Sequence, residues 1–192
     1  MSSLSAVDPA HTLAPSAWMR RFASLVPRGA RVLDVAAGRG RHARLFAAQG
    51  AQVLAVDRDA GALAELDGVT GVTTRVADLE GAPWPFAGEV FDAIVVANYL
   101  HRPLFPHLLA ALAADGTFLY ETFAEGNERF GRPSNPAFLL APGELAKVVR
   151  DSFTVVAFEQ GVVDGERPAV VQRVAAIGRA RPWPPPLPDR VV

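Results

Sequence analysis

From Arg31 to Phe123, short apolar runs alternate with stretches of helical periodicity, and that alternation leaves few folds open. "RVLDVA", "AQVLAVD", the β-branched "GVTTRVADLE", "FDAIVVANYL" and "GTFLYETF" read as strands. "RHARLFAAQ" reads as a helix closed by Gly50, "AGALAEL" as a shorter one, and "PLFPHLLAALAA" as a third with Pro106 in its first turn. Strands separated by helices pair in parallel, so the pattern predicts an open sheet with helices on both faces. A helix over "APSAWMRRFASLV" precedes it, starting at Pro15 and carrying Trp18, Phe22 and Leu25 at helical spacing. After a helix over "APGELAKVVRD", the strands "FTVVAFEQGVV" and "PAVVQRVAAIGR" are separated only by "DGER". That connection is too short for a crossover helix, so these two form an antiparallel hairpin. The expected organisation is a flexible N-terminus over 1–14, a single α/β domain over 15–180 and a Pro-rich tail over 181–192. The tail reads as polyproline II. It could offer a P-x-x-P ligand, pack on the protein's own surface through Trp183 and Leu187, or stay disordered.

Composition narrows the function classes. The 192 residues are half hydrophobic and one-fifth charged, as expected of one globular, soluble domain with a real core. No apolar run approaches the roughly 18 residues that span a bilayer, and "MSSLSAVDPAHTLAPS" has neither the basic start nor the apolar stretch of a signal peptide. A cytoplasmic location and no membrane partner are expected. Cysteine is absent, which excludes disulfides, thiolate metal sites and a cysteine nucleophile. The net charge of −1 argues against a nucleic-acid partner. His11, His42, His101 and His107 show no metal-ligand spacing, so no metal is expected. A monomer or homodimer acting on a small molecule fits these limits.

Open parallel sheets bind ligands beyond the carboxyl ends of their strands. Polar residues gather there: Asp34, Gly38 and Gly40 after the first strand, Asp57 after the second, Asp78 after the third and "NYLHR" after the fourth. Gly38, Gly40 and Ala43 match G-x-G-x-x-G/A, so a dinucleotide has to be weighed. Asp34 opposes it, because a carboxylate beside the glycine turn repels a pyrophosphate. A buried carboxylate there calls for a cationic partner such as an ammonium. Asp57 suits ribose hydroxyls in either case, and Asp78 suits the exocyclic amine of an adenine. Ammonium, ribose and adenine occur together in S-adenosylmethionine. The alternative is that Asp57 and Asp78 merely close turns.

With these residues in view, "VLDVAAGRGRHARLFAAQGAQVLAVDRD" resembles the first motif and following acidic strand end of class I S-adenosylmethionine-dependent methyltransferases. "VADLE" resembles their adenine-binding acidic motif, and "FDAIVVANYLH" their fourth motif. The similarity runs from about Val32 to Phe123 and looks greatest to the small tellurite-resistance-like bacterial members. Ala36 stands where the family's D-x-G-x-G-x-G has its first glycine. The resemblance implies a Rossmann-like, doubly wound, seven-stranded sheet in order 3-2-1-4-5-7-6 with strand 7 antiparallel. It also implies that Asp34 and the backbone of Ala36 to Gly38 and Gly40 hold the methionine moiety, and that Asp57 holds the ribose. By the same resemblance Arg58 flanks the adenine, Asp78 and the Leu79 amide bind it, and Ala97 and Asn98 pass under the cofactor.

The acceptor side is less legible. Tyr99 could face the sulfonium, and His101 is the best base by residue type. His101 could equally be a helix-start residue bonded to backbone. Arg102, Glu121, Asn127 and Arg132 are candidate substrate contacts, the last three on or just before the long turn-rich segment after the fifth strand. Asn135 is a further polar candidate there, and Phe130 and Phe138 are candidate pocket walls, although Phe138-Leu139-Leu140 reads more readily as core. Arg39, Arg41 and Arg44 either attract an anionic substrate or form a solvated helix face. Trp84 and Phe86 are expected at the sheet edge near the adenine. The expected function is methyl transfer from S-adenosylmethionine to a small acceptor. The alternatives are a non-catalytic S-adenosylmethionine-binding module, an RNA methyltransferase and an NAD-dependent oxidoreductase.

Overall fold

The computed structural model describes residues 14–165 and 167–186. Seven strands form one sheet: β1 Arg31–Val35, β2 Gln52–Asp57, β3 Val72–Val76, β4 Phe91–Ala97, β5 Leu112–Phe123, β6 Phe153–Val163 and β7 Ala169–Gly178. Their order is β3-β2-β1-β4-β5-β7-β6. β1 pairs in parallel with both β2 and β4, so the crevice between β1 and β4 is the point where the strand order reverses. β7 runs antiparallel to β5 and to β6, as the short "DGER" connection requires.

Among the described residues five α-helices cover the sheet: α1 Ala17–Phe22, α2 Arg41–Ala48, α3 Ala60–Ala64, α4 Phe105–Ala110 and α5 Glu144–Val149. Alternation along the strands sorts the core into two layers. Leu33, Val35, Ile94, Phe118 and Tyr120 face Leu108 of α4 and Leu145 of α5. Val32, Ala93, Val95 and Leu119 face Trp18 and Phe22 of α1 and Phe46 of α2. β4 is buried on both faces over Ala93–Val96, which is why its sequence is an unbroken apolar run. α2 buries His42, Ala43 and Phe46, one side of a helix.

Four sequence expectations need correction. Ser16, not Pro15, caps α1; its hydroxyl accepts from the Met19 amide at 3.0 Å. The helix expected over residues 103–114 ends at Ala110. A 3-10 turn over Arg102–Leu104 precedes it, and Leu112 already belongs to β5, paired with Phe91. Sheet pairing and burial of Leu112 outweigh the helix propensity of the alanine-rich run. The register then shifts so that Ala93 pairs with Thr117. Phe138 is exposed, whereas Leu139 and Leu140 are core. Finally, Trp84 and Phe86 are not at the sheet edge: Phe86 is buried against Phe91 at the start of the central strand β4, with Trp84 edge-on to it. Trp183 is 65% exposed and does not dock on the surface; Leu187, most of the expected N-terminal segment and the end of the tail lie outside the described residues.

Candidate functional site

β1 delivers the chain into a turn that ordinary residues avoid. Ala36 has φ +53° and Gly38 φ +54°, both left-handed. The turn is held from β2: the Ala37 amide donates to the Val56 carbonyl at 2.9 Å, and the Gly38 amide to Asp57 Oδ2 at 2.7 Å. Gly40 opens α2 at φ +74°, and a Cβ there would run into Leu66. Its role is to let α2 pack against Leu66; it lines neither cavity described below.

The other strand ends converge on this turn. Asp57 Oδ1 accepts from the Asp59 amide at 2.9 Å. Asp78 Oδ1 accepts from the amides of Glu80 at 2.9 Å and Gly81 at 3.1 Å, and these bonds hold its carboxyl below the usual range. Both aspartates therefore do close turns, and both also border the cleft. Asn98, past β4, is left-handed at φ +56°, a conformation its short polar side chain tolerates. Its amide donates to the Glu121 carbonyl at 2.9 Å.

Two cavities meet at Ala36 and Asn98, which line both. The smaller, about 280 Å³, is bordered by Asp57, Arg58, Asp78, Leu79, Glu80 and Tyr99. The larger, about 960 Å³, is bordered by Asp34, Gly38, Ala97, His42 and Phe123 and by Arg41, Asn127, Phe130, Arg132 and Arg167, of which Phe130, Arg132 and Arg167 are exposed. Nine of the ten residues expected at the cofactor thus line one continuous cleft, Gly40 being the exception.

Asp34 is 1% exposed, and its Oδ2 has no hydrogen-bond partner among the described residues. Burial raises its carboxyl to about 7, although the Ala43 amide and Arg41 pull the other way. His42 beside it is buried and neutral: its Nε2 accepts from the Ser16 amide at 3.2 Å, and burial lowers it to about 3. Tyr99 lies against Glu80; burial and that carboxylate keep its phenol well above its ordinary value, so it stays protonated.

The acceptor-side expectations fare differently. Arg102 lines neither cavity. Its guanidinium grips Glu144 at 2.7 and 2.9 Å and donates to the carbonyls of Ala137 at 2.9 Å and Leu139 at 2.7 Å, clamping the segment that leads into α5. Glu121 is buried outside the cleft, 2.8 Å from Arg173. Asn127 borders the larger cavity but is structural: it donates to the Pro133 carbonyl at 3.0 Å and accepts from the Val170 amide at 3.1 Å. Asn135 caps a 3-10 turn, its Oδ1 accepting from Ala137. Arg132 and Phe130 do border the larger cavity. His101 lines neither, lies close enough to Asp78 to influence its charge, and makes no side-chain capping bond. Arg39 and Arg41 both border the larger cavity, Arg39 being paired with Glu65, whereas Arg44 donates to the Glu65 carbonyl. Sequence reasoning passed over His42, Glu80 and the hairpin tip at Arg167–Ala169. Only the position of His42, two residues beyond the glycine turn, hinted at its place.

Among the described residues no group of histidines and acidic side chains could hold a metal, and no helix is long and apolar enough to cross a membrane. Residues 32–115 match the family described as a methyltransferase domain. A search of the curated proteins finds no match. Among solved structures the fold is similar to TehB from Haemophilus influenzae, with TM-score 0.69 and 18% identity, covering 82% of this chain. This chain spans 60% of that protein's length. A TehB-like methyltransferase from Corynebacterium glutamicum gives TM-score 0.61 at 22% identity over 85% of this chain and 88% of its own. An S-adenosylmethionine-dependent methyltransferase from Mesorhizobium loti gives 0.64 at 19% identity over 86% and 99%. At these identities the likeness establishes the fold, in agreement with the strand order expected from the sequence.

Proposed function

We propose that this chain, residues 32–115 of which match a methyltransferase domain, is a class I S-adenosylmethionine-dependent methyltransferase that transfers the methyl group of S-adenosylmethionine to a small-molecule acceptor. The observation that carries the reading is the unpartnered Oδ2 of Asp34. A carboxylate oxygen buried beside a large cavity, with nothing to bind, is costly unless a cation completes it. The ammonium of the cofactor's methionine end is such a cation. Asp57, Arg58, Asp78 and Leu79 would hold ribose and adenine in the smaller cavity, and Ala36, Gly38, Ala97 and Asn98 would flank the methionine end.

When bound, the cofactor supplies an activated methyl carbon for in-line displacement. The chain's part is to position the acceptor and exclude water. The larger cavity offers no general base among the described residues: Asp34 would be committed to the ammonium, and His42 is held neutral near 3. This favours an acceptor atom that arrives without its proton, such as a thiolate, over one that must be deprotonated in place. Tyr99, on the adenosine side, supports binding rather than proton transfer.

Geometry also weighs against the dinucleotide reading. A pyrophosphate would need the Gly38 amide, which already donates to Asp57. Calorimetric titration tests the proposal. Micromolar binding of S-adenosylmethionine without binding of NAD supports it; binding of NAD alone refutes it. Release of S-adenosylhomocysteine with an acceptor panel separates an enzyme from a non-catalytic binding module, and turnover of RNA alone would replace the small-molecule acceptor.

A further inference from the structure

The larger cavity is far bigger than an amino-acid end of a cofactor requires, and its outer part has a definite character. Phe123 and Phe130 give it apolar walls. Arg41, Arg132 and Arg167 border it, the last two exposed, and among the described residues the only carboxylate on its lining is the buried Asp34. Among the described residues neither Arg41 nor Arg132 has a carboxylate partner, whereas Arg39 on the same lining is paired with Glu65. The chain as a whole carries a net charge of −1, so this concentration of guanidinium groups is a local feature and not the general character of the surface. A bound S-adenosylmethionine would sharpen it. The cofactor carries net positive charge, and its ammonium would neutralise Asp34, the one negative group on the cavity lining among the described residues.

We infer that the acceptor is an anion, an apolar body bearing a carboxylate or phosphate, whose charged group is held at the outer end of the cavity by Arg132 and Arg167. The inference rests on the methyltransferase reading of the same cleft. Guanidinium forks bind both oxyanions bidentately, and they do so best where a cleft limits competition from water. Arg132 comes from the segment after β5 and Arg167 from the β6–β7 connection, so the two approach the cavity mouth from different elements. The apolar body would lie along Phe123 and Phe130, with its nucleophilic atom pointing inward past Ala97 toward the junction at Asn98 and Ala36. A neutral acceptor of the same shape would leave the arginines unmatched.

The test uses the complex with S-adenosylhomocysteine, titrated with benzoate, phenyl phosphate and the neutral benzamide. The expected result is that at least one anion binds about tenfold more tightly than benzamide, as a charge-assisted pair requires. The tighter of the two anions identifies the oxyanion. In the double variant Arg132→Gln with Arg167→Gln that advantage is lost, while affinity for S-adenosylhomocysteine stays within about twofold, since neither residue touches the cofactor-side lining. Both side chains are exposed, so the variant retains the fold. Equal binding of acids and amide, no binding of either acid at about 10 mM, or acid binding indifferent to the double substitution overturns the inference while leaving the cofactor reading intact. Failure of S-adenosylhomocysteine to bind overturns the cofactor reading, and this inference with it.

Discussion

Replacing Asp34 with asparagine should stabilise the cofactor-free protein and cripple cofactor binding, and the two effects have one cause. A carboxyl raised from 3.8 to about 7 is held by the fold in its protonated form. The folded state keeps this proton after the unfolded chain has lost it, so the contribution is fully present below about pH 4 and falls as pH rises to 7. Moving the group over that interval makes its ionisation in the folded protein about 4 kcal/mol costlier. Asparagine never ionises and can still accept from the Ala43 amide. Its NH2 group lacks a partner in the same place, which returns about 1–2 kcal/mol of the gain. The net expectation for Asp34→Asn at pH 8 is about 2–3 kcal/mol of added stability, or roughly 4–10 °C in Tm for a chain of this size.

The assay is thermal unfolding of both proteins from pH 5 to pH 8, paired with titration of S-adenosylmethionine. At pH 5 the stability advantage should vanish, because Asp34 is then already neutral. Wild-type affinity should weaken about tenfold for each pH step below 7, since binding the ammonium requires the ionised carboxylate. The variant should bind roughly a hundredfold more weakly than wild type at pH 8, with little pH dependence. A variant less stable than wild type at pH 8, or a Tm difference that does not change with pH, refutes the account of Asp34. Undiminished cofactor affinity in the variant refutes its role at the ammonium.

Other substitutions probe separate parts of the same argument. Ala36→Gly should raise stability by about 0.5–1 kcal/mol, because relief of the left-handed penalty exceeds the added freedom of the unfolded chain; a lower unfolding midpoint in urea would contradict it. Asp78→Ala should weaken S-adenosylmethionine by about tenfold or more while leaving far-UV circular dichroism unchanged, as expected if this exposed turn residue accepts from the adenine amine as proposed. Arg102→Ala should cost about 2 kcal/mol through loss of the Glu144 clamp without altering cofactor affinity; normal stability with a raised acceptor KM would instead make Arg102 a substrate contact. His101→Gln should change kcat by less than about threefold once an acceptor is known, since His101 stands outside both cavities, and a lost pH dependence of kcat would restore it as the base.

The sheet was legible because period and length alone separate its strands from its helices, and "DGER" is too short to permit anything but a hairpin. The start of β5 was not, because an alanine-rich run after a helix favours more helix, and only the pairing of Leu112 with Phe91 decides otherwise. The three aspartates were legible because strand ends of a parallel sheet converge whatever their separation in sequence. Arg102, Glu121 and Asn127 misled because polar residues near a cleft can equally be structural. Their partners are Glu144, Arg173, and the backbone of Pro133 and Val170, and nothing local announces those pairings. Arg167 was invisible for the opposite reason: a hairpin turn carries no chemical signature until the sheet order brings β7 beside β5.

Several departures from good local chemistry gather in one place, and that concentration is itself an argument about function. Ala36 and Asn98 are the only non-glycine residues with positive φ among those described, and both stand at the junction of the two cavities. Asp34, the buried carboxylate without a partner, faces the same junction, and the neutral His42 lies next to it. A sequence selected for stability alone would place glycine at position 36 and a neutral residue at position 34. Each change should strengthen the fold, and the second should remove the group proposed to bind the cofactor's ammonium. Strain that recurs at adjacent strand ends, around a cavity and with one missing cation, is therefore better explained by a ligand that completes it than by packing. Saturating S-adenosylmethionine should on this view raise Tm more in wild type than in Asp34→Asn, because only the wild-type site has an ion waiting to be paired.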